Sequence, residues 1–124
     1  MTTLAQNSDY SILLFLLRNK SFRPIANQYK LNYNCISVLV GLYLHALINS
    51  NKGILITHLA KFLLYYYTTQ QIRRYLDKLI SFDLVISKNR YYYLTELGYS
   101  AINIIHQRSE SLIYDFCNRY SIEL

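Results

Sequence analysis

Glycine, cysteine and histidine are scarce in this 124-residue chain, and each scarcity excludes a class of site. The three glycines, Gly41, Gly53 and Gly98, lie too far apart for a phosphate-cradling loop, which excludes P-loop and dinucleotide fingerprints. The two cysteines, Cys35 and Cys117, form no CxxC pair, and the histidines have no zinc-helix spacing. We therefore expect no metal site, no cofactor and no disulfide framework, in a protein of the reducing cytoplasm.

Acidic residues and long hydrophobic runs are also scarce. Seven Asp and Glu stand against thirteen Lys and Arg, so the net charge is 13 − 7 = +6. This excess favours an anionic partner, either nucleic acid or a membrane surface. The most apolar run, residues 35–48, is shorter than the roughly twenty residues that a membrane span needs. The first predicted helix has no basic face opposite an apolar one, so we expect no membrane binding.

A single proline and the lack of any Pro/Gly-rich linker indicate one domain over residues 1–124. Ser8 and Asp9 predict the start of a helix that runs to about Asn19 and is apolar nearly all round. Pro24 is expected to end or kink this helix and to open a further helical piece. No nucleophilic or charged cluster has a catalytic spacing, so we do not expect an enzyme.

Capping residues predict where the following helices begin. Asn32 is expected to cap a helix over about residues 33–49, and Thr57 a short helix after the loop that follows. Thr68 and Gln71 have the spacing of a capping box. In the helix that they start, the period predicts a buried face of Ile72, Tyr75, Leu76 and Leu79 and a solvated face of Thr69, Gln70, Arg73, Arg74, Asp77 and Lys78.

The period changes after Asp83, where two strand-like runs, residues 84–87 and 90–94, flank Lys88 and Asn89. Asparagine tolerates the positive φ that a tight hairpin demands. Alternation should direct Tyr91 and Tyr93 to one face and Tyr92 to the other. Thr95 is then expected to cap one long closing helix to about Arg119, with Leu97, Ala101, Ile104, Ile105, Leu112, Ile113 and Phe116 on its apolar stripe.

The positive charge is concentrated between residues 61 and 90. This segment contains six basic and two acidic residues, so its net charge is 6 − 2 = +4, out of +6 for the whole chain. Short polar and basic side chains at the exposed start of a recognition helix can reach base edges in the major groove. The candidate DNA contacts are Thr69, Gln70 and Arg73 for base edges, Arg74 and Lys78 for phosphates, and Lys88 and Arg90 at the hairpin tip.

Each of these residues has a plainer interpretation. Arg73, Arg74 and Lys78 could form an ordinary solvated helix face, and Gln70 could serve only to begin its helix. Hairpin tips such as Lys88 and Arg90 are often charged for solubility alone.

The chain resembles the MarR family of bacterial transcription regulators. The resemblance rests on Leu59-Ala60, on the stretch 72–79 (Ile-Arg-Arg-Tyr-Leu-Asp-Lys-Leu), on Leu84-Val85 and on the stretch 93–98 (Tyr-Leu-Thr-Glu-Leu-Gly). It implies a mainly α fold with a small β-hairpin wing. A winged helix-turn-helix over residues 33–95 would be flanked by dimerisation regions at 1–32 and 96–124.

The resemblance further implies a homodimer that binds double-stranded DNA, with each protomer offering one recognition helix to half of a pseudo-palindromic operator. Such a protein would act as a transcriptional regulator, most simply as a repressor. Many family members release DNA when a small lipophilic or phenolic effector binds. The alternative is an interaction or assembly module of a plasmid or mobile-element replication or transfer system, without a specific operator.

Three details depart from the family pattern. Asp83 stands where the family usually has glycine, and we expect the turn to survive because aspartate tolerates a left-handed conformation. The run Tyr65-Tyr66-Tyr67 widens the helix-turn-helix turn by about two residues. The wing lacks the family's Asp-x-Arg pattern. Cys35 and Cys117 are expected to be plain thiols, with a redox-sensing pair as the alternative.

Overall fold

The computed structural model describes residues 7–48 and 53–119. Its elements are α1 (Asn7–Tyr29), α2 (Tyr33–Ile48), β1 (Ile54–Leu55), α3 (Ile56–Phe62), α4 (Thr69–Ser81), β2 (Val85–Lys88), β3 (Tyr91–Leu94), α5 (Glu96–Arg108) and α6 (Glu110–Arg119). The prediction of a mainly helical chain with a small β hairpin is confirmed at this level of description.

Helix α1 packs against α2, α3, α5 and α6. Its inward positions Leu17, Phe22 and Ile25 are fully buried. Helix α2 adds a nearly continuous buried run from Cys35 to Leu44 because it lies between α1, α4 and α5. One hydrophobic core therefore holds the helices and the sheet together.

The prediction that Pro24 opens a separate helical piece is wrong in one respect, because α1 is a single helix of 23 residues with Pro24 inside it. A proline in a helix interior removes one backbone hydrogen bond and costs about 3 kcal/mol. Here Phe22 and Ile25, three residues apart on one face of the helix, are completely buried. Burial of this face offsets the lost hydrogen bond, so the helix continues to Tyr29.

The sheet has three antiparallel strands in the order β1-β3-β2, one strand more than the sequence predicted. In β1, Ile54 pairs with Tyr92 and Leu55 with Tyr91. The expected alternation in β3 is seen only in part, since Tyr92 and Leu94 pack against the core and Tyr91 is 41% exposed, but Tyr93 is half-buried like Tyr92. A strand of two residues is too short to show the alternation of apolar and polar residues, and β1 was therefore not predicted.

Two predicted helix boundaries are corrected. Helix α3 begins at Ile56, and its N-cap is Leu55 without any side-chain hydrogen bond, so Thr57 is not the cap. The closing helix is divided at Ser109 into α5 and α6. Ser109 is buried, and its hydroxyl makes a short hydrogen bond with that of Ser21 in α1. Helical backbone bonds continue on both sides, since the Ser109 N–H donates to the Ile105 carbonyl and the Ile113 N–H to the Ser109 carbonyl, each over 3.0 Å, so the division is confined to this one residue.

Helix length and polarity bear on the expectation of no membrane span. Helix α1 is the longest, at 23 residues, and contains the basic residues Arg18, Lys20 and Arg23. Across residues 7–48 and 53–119, no helix combines the length and the hydropathy that crossing a membrane requires.

Candidate nucleic-acid interface

Helix α4 begins with the predicted capping box. The backbone N–H of Gln71 donates to Thr68 Oγ1 over 3.1 Å, and the backbone N–H of Thr68 donates to Gln71 Oε1 over 2.8 Å. The two bonds satisfy donors that a helix end otherwise leaves without partners. The start of α4 is therefore determined locally, and so is the direction in which its first exposed side chains point.

The two faces of α4 differ in polarity as the sequence predicted. Ile72, Leu76 and Leu79 are fully buried, and Tyr75 is half-buried against the core. All six residues of the predicted solvated face are exposed, namely Thr69, Gln70, Arg73, Arg74, Asp77 and Lys78. Three cations and one carboxylate leave this face with a charge of 3 − 1 = +2.

Asp83 ends α4 in the left-handed conformation that the sequence predicted, with φ of 61°. Its N–H donates to the carbonyl of Ile80 (2.9 Å), and the N–H of Leu84 donates to that of Leu79 (3.0 Å). This pair of bonds is a Schellman motif, in which glycine is the usual left-handed residue. Aspartate replaces glycine here at a modest cost, since it is one of the side chains that tolerate this region.

The start of α5 is bonded to this turn. Thr95 Oγ1 accepts from the Gly98 N–H (3.0 Å) and donates to the Asp83 carbonyl (2.5 Å), while the Thr95 N–H donates to the Leu84 carbonyl (3.1 Å). A Cβ atom on Gly98 would lie 2.2 Å from the Leu84 carbonyl oxygen, so no larger residue fits. Leu97, predicted on the apolar stripe, is instead 44% exposed.

The hairpin turn lies one residue later than the sequence predicted. Strands β2 and β3 pair Lys88 with Tyr91, so Asn89 and Arg90 form a two-residue turn with φ of 51° and 72°. Two positive φ values are typical of a type I′ turn, whose twist matches the flanking strands. Lys88 and Arg90 are exposed at this tip, at the far end of a strand that packs against α4.

The turn between α3 and α4, which the sequence predicted to be widened by the run Tyr65-Tyr66-Tyr67, is closed by backbone hydrogen bonds. The Leu64 N–H donates to the Lys61 carbonyl and the Tyr65 N–H to the Ala60 carbonyl, each over 2.9 Å, which is a second Schellman motif. Its left-handed residues are Leu64 and Tyr65, with φ of 55° and 58°. No glycine or asparagine marks this turn, so no sequence signal could have revealed it.

The thiol of Cys35 lies inside the fold. Its side chain is fully buried, and Sγ is 3.5 Å from the Tyr75 carbonyl, to which it donates. Burial raises the pKa of the Cys35 thiol to about 11, although nearby Lys78 acts in the opposite direction. A protonated, buried thiol is a poor nucleophile, which favours the plain-thiol interpretation for this cysteine. The side chains of Cys117 and His106 lie outside the described set.

We expect native Cys35 to react slowly with a disulfide reagent such as DTNB. In a Cys117→Ser background, the thiol should react at least about 100-fold more slowly in the native protein than in guanidinium at the same pH. This ratio follows from a thiolate fraction lowered by a pKa shift from 9.0 to about 11. Equal native and unfolded rates would show that the thiol is accessible and would restore it as a redox candidate.

A cavity of about 140 Å³ lies between α2, the sheet and α5, and its walls include Leu42, His45, Ile54, Tyr93 and Tyr99. His45 also packs edge-on against the Phe62 ring, with centroids 6.1 Å apart. Burial, and secondarily the nearby His58, lowers the pKa of His45, while burial raises the pKa of Tyr99. Both side chains are therefore neutral at pH 7, and the cavity walls combine three tyrosines and a histidine with aliphatic side chains.

Comparison with protein-family models, with curated proteins and with solved structures returns no match to this chain. Within the described ranges, no group of three or more His, Cys, Asp or Glu side chains is placed to hold a metal ion.

Proposed function

We propose that this protein is a sequence-specific, winged-helix DNA-binding regulator that acts as a homodimer. The observation that carries the proposal is helix α4, a capped amphipathic helix with a buried apolar face and an exposed basic one. A hairpin with two basic residues at its tip follows directly, and α3 precedes it. In this interpretation α3 and α4 are the helix-turn-helix, α4 is the recognition helix, and β2-β3 is the wing.

The charge distribution supports the same assignment. Arg73, Arg74 and Lys78 are exposed on one helix, and Lys88 and Arg90 are exposed on the adjoining hairpin. Clustered cations on neighbouring elements are typical of a surface that neutralises phosphates. Thr69, Gln70 and Arg73 at the start of α4 would reach base edges, while the other cations would contact the backbone.

The dimer would be built from α1 and the α5-α6 segment, which are the first and the last helices of the described structure. Tyr114 of α6 is 53% exposed and Leu97 of α5 is 44% exposed, so apolar surface is available on these helices. A two-fold dimer would present two α4 helices to half-sites about one DNA turn, roughly 10 bp, apart.

A small phenolic effector would fit the cavity beside His45 and Tyr99. Its volume of about 140 Å³ is close to the roughly 150 Å³ of a cavity known to admit one benzene ring. The cavity touches β3 and α5, both of which adjoin the turn that ends α4. A ligand there would act on DNA binding by changing the position of the hairpin relative to α4.

Selection of bound sequences from a random duplex pool, with and without added phenolic compounds, tests the proposal. We expect enrichment of a pseudo-palindrome and binding that weakens steeply with salt. A pool that stays random, together with a shallow salt dependence, would overturn the proposal and favour an interaction module.

Lys78→Ala should weaken binding to all duplexes by a similar factor and reduce the slope of log K against log salt by about one unit. Loss of one phosphate contact releases one counterion fewer, which is the physical reason for the change in slope. The matched control is Arg119→Ala, which removes an exposed cation from α6. An unchanged slope for Lys78→Ala would remove this residue from the phosphate contacts.

A further inference from the structure

The most exposed large aromatic side chains in the described structure are neighbours in the turn between α3 and α4. Tyr65 is 70% exposed and Tyr66 is 76% exposed. We refer to residues 64–67 as the tyrosine turn. We propose that the hydroxyl groups of Tyr65 and Tyr66 donate hydrogen bonds to DNA phosphates beside the bases that α4 contacts, an inference that rests on the proposed function.

The backbone of the tyrosine turn has two consecutive residues in a conformation that their side chains disfavour. Leu64 and Tyr65 both have positive φ, which costs about 1–2 kcal/mol for a residue with a Cβ atom. Neither side chain is buried, since Leu64 is 39% exposed and Tyr65 far more so. Disfavoured backbone conformations that surrounding structure holds in place are concentrated at functional sites.

Tyr67 supplies the support that holds this geometry. Its hydroxyl donates to Asn34 Oδ1 over 3.0 Å, and its ring packs edge-on against Tyr75 with centroids 5.7 Å apart. Asn34 belongs to the first turn of α2, and Tyr75 to the half-buried side of α4. Tyr67 thus attaches the turn to α2 and α4, and Tyr65 and Tyr66 are left facing solvent. Because the turn is held in place, these two residues lose little conformational freedom on binding.

The chemistry around the turn indicates a phosphate backbone as the partner. Residues 61–74 contain three basic residues and no acidic one. From Tyr65 to Gln71, every side chain carries a hydroxyl or an amide, and these are the neutral groups that proteins use to contact phosphates. A protein-binding patch would be expected to have an apolar centre with mixed charges at its rim.

The position of the turn matches the same partner. Tyr66 is separated from Thr68, the cap of α4, by one residue, and exposed Thr69 and Gln70 follow immediately. If the start of α4 enters the major groove, the residues just before it lie where the groove is bordered by phosphates. The two extra residues that distinguish this turn would then extend the contact with DNA beyond the recognition helix.

The test compares wild type with the double variant Tyr65→Phe/Tyr66→Phe on the duplex enriched in the selection, over a series of salt concentrations. Each lost hydroxyl contact should weaken binding, and we expect a combined loss of about 10-fold. The salt slope should not change, because a hydroxyl is neutral and releases no counterion. Tyr33→Phe, which removes one hydroxyl from a half-buried tyrosine of α2 and keeps its ring, is the matched control and should bind as wild type does.

A methylphosphonate scan of the duplex locates the contact. At the phosphate concerned, the neutral substitution should weaken binding of wild type but weaken the double variant much less. Wild-type affinity in the double variant would overturn the inference while leaving the proposed function intact. Failure of wild type to select any sequence would overturn both. A shift from dimer to monomer in sedimentation of the double variant would assign the turn to a protein interface and contradict the phosphate contact.

Discussion

Replacing Gly98 by alanine is expected to destabilise the protein by about 2–3 kcal/mol, even though alanine is the better helix former. The added Cβ would lie 2.2 Å from the carbonyl oxygen of Leu84 and 3.2 Å from a methyl group of Leu94. The Leu84 carbonyl cannot simply turn away, because it accepts the Thr95 N–H over 3.1 Å and its residue is fully buried. The first turn of α5 would have to move instead.

That movement would break the bonds by which Thr95 joins α5 to the turn after α4. The measurement is urea or thermal unfolding followed by circular dichroism, where the loss corresponds to roughly 5–15 °C in Tm. Gly41→Ala is the matched control, since a Cβ there meets the flexible end of the Leu63 side chain at 3.0 Å. We expect its stability to remain within about 1 kcal/mol of wild type. Equal stability of the two variants would show that α5 does not press against Leu84.

Arg73→Ala is expected to weaken binding to the selected duplex by about 1–3 kcal/mol, while binding to random duplex changes much less. Arg73 is exposed about one turn from the start of α4, and the capping box at Thr68 holds that start in place. An arginine guanidinium can donate two parallel hydrogen bonds to one guanine, and random sequence rarely offers that base at the required position.

The measurement is a repeated selection with the variant protein, followed by titrations of the preferred and random duplexes. One position of the motif should lose its base preference. Arg119→Ala controls for the loss of one positive charge, because that exposed arginine belongs to α6, which packs against α5 and α1. A loss of equal size on every sequence would make Arg73 a phosphate contact rather than a base contact.

The features of α4 were predictable because their causes are local. A capping box spans three residues, and an amphipathic period of 3.6 repeats within a single helix. Residues close together in the sequence therefore determine the bonds between Thr68 and Gln71. They also determine that Leu76 is buried whereas Arg73 is exposed. The same holds for Asp83, whose tolerance of positive φ is a property of its own side chain.

Strand β1 and the contact of Ser109 with Ser21 were not predictable, because both pair residues that are distant in the chain. Ile54 is part of a strand through its pairing with Tyr92, 38 residues later (92 − 54). Ser109 meets Ser21 across 88 residues. The residues around these two positions have no periodic pattern that indicates a strand or a helix end. The sequence therefore predicts one continuous closing helix and no strand at Ile54.

The tyrosine turn shows the limit of local reasoning most clearly. Leu64 and Tyr65 adopt conformations that their own side chains disfavour. The turn persists because Tyr67 is bonded to Asn34 and packs on Tyr75, both of which belong to other helices. Tertiary contacts worth a few kcal/mol can overrule a backbone preference of about 1–2 kcal/mol per residue.

The sequence by itself determined the basic region between Lys61 and Arg90, the helical faces of α4 and the existence of the hairpin, because charge, period and capping are carried by adjacent residues. The tertiary structure decided the continuity of α1 through Pro24, the pairing of β1 with β3 and the outward presentation of Tyr65 and Tyr66. The physical reason is that burial and hydrogen bonds between distant segments outweigh the local preferences of these residues.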